Sequence, residues 1–102
     1  MIEEAKKVGE VSYFGNSKAS YKLYNDLAAT VFYFENPGPK TLQCNFTIVA
    51  VNLQLQGSEK GTNDFEILVP PGKTDYKILK PVVAGEETSF SMSSSFKLVA
   101  NL

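Results

Sequence analysis

Histidine is absent from the 102 residues, and this count alone removes most of the side-chain chemistry open to a small domain. Without it, no Ser-His-Asp or Cys-His nucleophilic site can be assembled. With a single cysteine beside it, the usual Cys and His zinc sets are also excluded. That cysteine, Cys44, alternates in phase with Leu42 and Phe46, so it reads as a small buried hydrophobe. A reactive thiol needs exposure and a neighbouring positive charge, and the residues around Cys44 supply neither. Two carboxylate pairs remain, Asp64 with Glu66 and Glu86 with Glu87. Such pairs can perform acid–base work or hold calcium at a loop edge. Calcium loops carry denser Asp spacing with Gly, so these carboxylates read as a solvated strand face and an acidic turn. The residues therefore predict no catalytic, cofactor-binding or metal-binding site, and a chain that is not an enzyme.

Three further patterns carry weaker chemistry. Asn45-Phe46-Thr47 matches the N-glycosylation pattern, but its place inside an alternating strand argues against use. The serine-rich stretch at residues 89–95 could be a phosphorylation cluster. Its alternation with Phe90, Met92 and Phe96 favours the solvent face of a strand. The Gly-containing turns are isolated and open no helix, so no phosphate-cradling loop is present.

The elements that must position these residues are β-strands. Val11 and Tyr13 lead to a Gly15-Asn16 turn, and residues 21–24 end at Asn25-Asp26. In residues 28–35, Val31 and Tyr33 fall on one face and Phe32 and Phe34 on the other. Apolar residues on both faces predict a central strand or one covered on its outer side. Asn36-Pro37-Gly38-Pro39 ends it. In residues 41–56, Leu42, Cys44, Phe46 and Ile48 share one phase, and Val49, Val51, Leu53 and Leu55 share the other. Side-chain direction has period two, so this flip between Ile48 and Val49 predicts a β-bulge, or a bend from one sheet to the other. A polar loop at residues 57–63 precedes Phe65, Ile67 and Val69. Pro70-Pro71-Gly72-Lys73 turns into a strand at residues 76–79, and Gly85-Glu86-Glu87 into a last strand with Phe90, Met92, Phe96 and Leu98 inward and Ser94 in the remaining inward place. Even strand spacing with turn chemistry between is the signature of an all-β fold, here an antiparallel β-sandwich of seven or eight short strands. Residues 17–29 also fit a helical spacing, through Ala19, Leu23, Leu27 and Ala28.

Residues 1–10 read as a charged lead-in, with room for one frayed helical turn in residues 1–7, and residues 11–102 as a single domain. Hydrophobic residues are 43 % of the chain, enough for one core without a disulfide or metal. The net charge is −1 and all 10 basic residues are Lys, so the bidentate fork that Arg offers to phosphate and guanine is missing. No nucleic-acid partner is expected. There is no apolar run of transmembrane length. One cysteine and a charged N-terminus without the apolar centre of a signal peptide predict a cytoplasmic protein, or a domain cut from a larger one.

Three stretches carry a resemblance: Tyr24-Asn25-Asp26 leading into residues 30–34, the apolar strand at residues 46–55, and Val69-Pro70-Pro71-Gly72-Lys73-Thr74-Asp75-Tyr76. In this order they resemble the β-sandwich domains of calpain-like proteins, closest to the small calpain-related proteins of protists. The protease core, the acylated Gly-Cys start of some members and the dense charged loops that contact phospholipid are missing from this chain. The resemblance implies a non-catalytic regulatory or protein-interaction module that binds another protein through loops or a strand edge. Two other readings stay open on the residues: an Ig-like appendage or structural module, and a small-ligand-binding β-barrel with an internal cavity.

Overall fold

Alternating apolar side chains build two antiparallel sheets packed face to face, an all-β sandwich. The computed structural model describes residues 2–26, 28–57 and 63–100. Its elements are α1 (Ile2–Val8), β1 (Glu10–Tyr13), β2 (Ser20–Asn25), β3 (Thr30–Asn36), β4 (Thr41–Val51), β5 (Leu53–Leu55), β6 (Phe65–Val69), β7 (Lys73–Pro81) and β8 (Ser89–Val99). The five-stranded sheet has the order β1-β2-β3-β7-β5 and the three-stranded sheet the order β6-β4-β8. These are two open sheets, not the closed barrel of the ligand-binding alternative. Between them lie Phe32 and Phe34 from one side and Phe46 and Phe65 from the other, with Leu42, Cys44, Ile67, Val69 and Leu79. Of the polar segment expected at residues 57–63, residues 58–62 lie outside the described residues.

The helical spacing of residues 17–29 does not yield a helix. β2 occupies Ser20–Asn25 and pairs along its whole length with both β1 and β3 or with β3 alone. Pairing puts Tyr21 and Leu23 against the main core. Burial against a second sheet outweighs a weak helical propensity in so short a segment.

The charged lead-in is not a free tail. It forms α1, with Glu3 and Glu4 in the first turn and Lys6 and Lys7 in the last, the order that complements the helix dipole. Ala5 is fully buried against Val31 and Tyr33, flanked by Ile2, Tyr24 and Ile78. This explains why β3 is apolar on both faces: one faces the sandwich core, the other lies under α1. Seven residues make a marginal helix in water, so packing holds it in place. Gly9 ends the helix, its N–H donating to the Ala5 carbonyl at 3.1 Å. A Cβ at Gly9 would stand 2.5 Å from the Ala5 oxygen, so glycine permits this close approach. Lys22 Nζ reaches across from β2, donating to the Lys6 carbonyl at 2.9 Å and pairing with Glu35 at 3.0 Å.

The bulge or bend expected between Ile48 and Val49 is not there. β4 runs without a bulge through Ile48 and Val49, pairing in unbroken register with β8 from Thr41↔Val99 to Val51↔Ser89. Val49 and Val51 are 70 % and 62 % exposed, on the outer face of the three-stranded sheet. The break comes at Asn52, whose φ is +58°. After it the chain enters the other sheet, where Leu53 and Leu55 are buried and β5 pairs with β7. A bend between sheets was one of the two expected devices; it lies beyond the apparent flip because two valines face outward.

Candidate functional site

The backbone feature most open to a partner is the edge at β8. Among the described residues, four strands end the two sheets. β1, β5 and β6 have 4, 3 and 5 residues, while β8 has 11. Short strands are one way proteins blunt an edge, and β8 is not blunted in that way. It pairs with β4 alone among the described residues. In an antiparallel ladder alternate residues direct both N–H and C=O away from the neighbour, so β8 presents a row of such groups outward.

The side chains of β8 follow its alternation. Phe90, Met92, Phe96 and Leu98 stand opposite Ala50, Ile48, Cys44 and Leu42 on the inner face. Ser91, Ser93 and Ser95 stand opposite Val49, Thr47 and Asn45 on the outer face. The serine-rich stretch is thus a strand face. The inner apolar row is incompletely covered: Phe90, Met92 and Leu98 are partly buried, and Phe96 is 44 % exposed. Phe14 covers part of Phe96, with ring centroids 5.2 Å apart. The loop after β1 approaches closely, since a Cβ on Gly15 would stand 3.1 Å from the Phe96 ring. Lys97 is the only charged residue of β8.

A groove of about 360 Å³ lies at one end of the sandwich, beside Lys18, Ala19, Pro37, Pro39, Lys40 and Leu98. Its floor is organised by Asn36, which is buried. Asn36 Nδ2 donates to the carbonyls of Lys40 and Val69, each at 2.7 Å, and Oδ1 accepts from the Gly38 N–H at 3.2 Å. One side chain thereby joins the β3–β4 and β6–β7 connections. The sequence signalled it only as the first residue of a proline-containing turn. Asn52 has a similar task, also unforeseen. Its Nδ2 donates to the carbonyls of Val83 and Glu86, and its Oδ1 accepts from the Val83 N–H at 2.8 Å.

Asp64 and Glu66 have different hydrogen-bond partners. Asp64 accepts from the Ile48 N–H at 3.3 Å, and Glu66 accepts from Gln43 Nε2 at 3.1 Å. Glu86 and Glu87 border an exposed hollow after β7. Among the described residues no three His, Cys, Asp or Glu side chains gather as metal ligands do. Cys44 is fully buried, and loss of hydration pushes its thiol up to about 12. Asn45 and Thr47 are exposed on the outer face of β4, within a strand and not a loop.

The motifs that carry the resemblance build turns. Asp26 accepts from the N–H groups of Ala28 at 2.7 Å and Ala29 at 3.0 Å, which holds its carboxyl below the usual range. Asn25 Oδ1 accepts from the Thr30 hydroxyl at 2.9 Å, fastening the ends of β2 and β3. In the Pro70-Pro71-Gly72-Lys73 turn, Gly72 has a φ of +73° and donates to the Asn36 carbonyl at 2.7 Å. Among the described residues no helix is long and apolar enough to cross a membrane. Comparison with protein-family models, with curated proteins and with solved structures gives no match to this chain.

Proposed function

We propose that this chain is a non-catalytic protein-interaction or regulatory β-sandwich module of calpain-like type, acting in the cytoplasm by docking another polypeptide along a strand edge. The observation that carries this reading is β8: an 11-residue edge with one charge and a half-covered apolar row. Strand addition supplies affinity through main-chain hydrogen bonds and specificity through alternate side chains. The calpain-like assignment is supported by Tyr24-Asn25-Asp26 and the Val69 to Tyr76 phrase. The compartment is supported by a single cysteine kept as a buried thiol.

The test is capture from native lysate on the tagged chain and on Phe96→Lys, which places an inward charge on the edge. Circular dichroism establishes that the variant is folded. The expected result is a co-recovered polypeptide, an untagged copy of this chain included, that is lost with Phe96→Lys. Recovery of the bait alone, or equal recovery on both, overturns the reading.

A further inference from the structure

We infer that the polypeptide that occupies the β8 edge is a second copy of this chain, paired antiparallel about a two-fold axis at Ser94. This rests on the reading of β8 as a docking edge and names its occupant. A two-fold contact between identical strands must be self-complementary, each residue meeting its mirror position. Centred on Ser94, the register sets Phe90 opposite Leu98 of the second copy and Met92 opposite Phe96. Ser93 then meets Ser95, and Ser91 meets Lys97. All four half-covered apolar side chains find apolar partners on the same face. A centre at Ser93 matches only Phe90 with Phe96, and a centre at Ser95 matches only Met92 with Leu98. A centre between two residues sets the apolar row against serines of the other face.

Charge fits the same register. The two Lys97 side chains are six residues apart along the pair, about 20 Å. That is well beyond the screening length of about 8 Å at physiological salt, so they do not oppose the contact. No Pro or Gly interrupts Ser89–Val99. Both would weaken a ladder. The other edge strands are too short to offer a comparable row.

The test uses the full chain. Sedimentation across a concentration series reads the mass, and amide hydrogen exchange reads the β8 backbone. Single cysteines read the register: Ser94→Cys places two thiols across the axis, within the span of about 4.4–6.8 Å between Cα atoms that a disulfide accepts. Ser91→Cys places them about 20 Å apart. Buried Cys44 takes no part. The expected result is a doubling of mass with concentration, and slow exchange at alternate β8 amides only where the dimer is populated. Mild oxidation should cross-link Ser94→Cys and leave Ser91→Cys monomeric. Ser94 is exposed, so Ser94→Lys should fold normally and abolish the dimer by setting like charges opposite each other. A monomer with freely exchanging alternate β8 amides overturns the second copy and leaves the docking edge standing. A monomer with every β8 amide protected overturns both. A dimer that survives Ser94→Lys, or cross-links equally through position 91, overturns this register.

Discussion

Cys44 keeps its proton because its surroundings offer nothing to a thiolate. It lies between Leu42 and Phe46 on β4, opposite Ile67 and Phe96, and no water reaches it. Burial raises its pKa from 9.0 to about 12, so the folded chain retains a proton that the unfolded chain releases. The sign follows from linkage: stability is unaffected below about pH 9 and declines as pH rises from there towards 12. Denaturation curves at pH 7 and pH 10.5 should therefore show a lower midpoint at the higher pH. Cys44→Ala, which has no thiol to ionise, should show a smaller difference between the two. Equal differences would mean that the thiol is not what titrates. The buried polar residue of greater structural weight is Asn36. Its Nδ2 donates to two carbonyls, and removing a partner from a buried acceptor costs about 1–3 kcal/mol. Cys44 was legible in the sequence from its alternation. Asn36 was not, because its second carbonyl, that of Val69, lies 33 residues away in the chain.

At the scale of elements, the crossing from β4 to β5 depends on Asn52. Its positive φ turns the chain out of the three-stranded sheet, and its side chain fastens the loop before β8. Asn accepts this conformation more readily than most residues, and glycine accepts it without steric cost. Asn52→Gly should lose the side-chain hydrogen bonds, about 1 kcal/mol for each, at this half-buried site. Asn52→Val should lose those and add backbone strain of about 1–3 kcal/mol. Urea unfolding of the two variants gives the order; equal destabilisation would show that backbone conformation at Asn52 is not what matters. The alternation of residues 41–56 announced that a phase change existed. It could not place the change, because Val49 and Val51 are apolar and outward. An apolar residue on a strand reports burial only if something covers that face. The same limit applies to β8: its strand was legible as apolar residues alternating with serines, while its position at a sheet edge depends on which strands pair.

Over the whole molecule the sandwich is joined through aromatic rings. Phe46 lies 5.0 Å from Phe65 in a stacked pair, and 5.6 Å from both Phe32 and Phe34 of the facing sheet. Truncating a buried Phe costs about 3–5 kcal/mol through lost transfer energy and the cavity left behind. A domain of this size is stable by about 5–15 kcal/mol in all. Phe46→Ala should therefore lower the thermal midpoint by well over 10 °C, and Phe46→Leu by much less. Similar losses for both would mean that the inter-sheet core collapses around the gap. The sequence by itself determined the class of fold, the main turns and the inward row of β6, of β8 and of β4 as far as Ile48, because alternation and turn chemistry are local consequences of backbone geometry. It also ruled out histidine-dependent chemistry by composition alone. Tertiary structure alone decided that α1 covers β3, that Asn36 and Asn52 fasten distant loops, that the chain changes sheet at Asn52, and that β8 is left at an open edge among the described residues. Each of these depends on which distant segments meet, and pairing between strands is set by the packing of the whole chain rather than by any stretch of it.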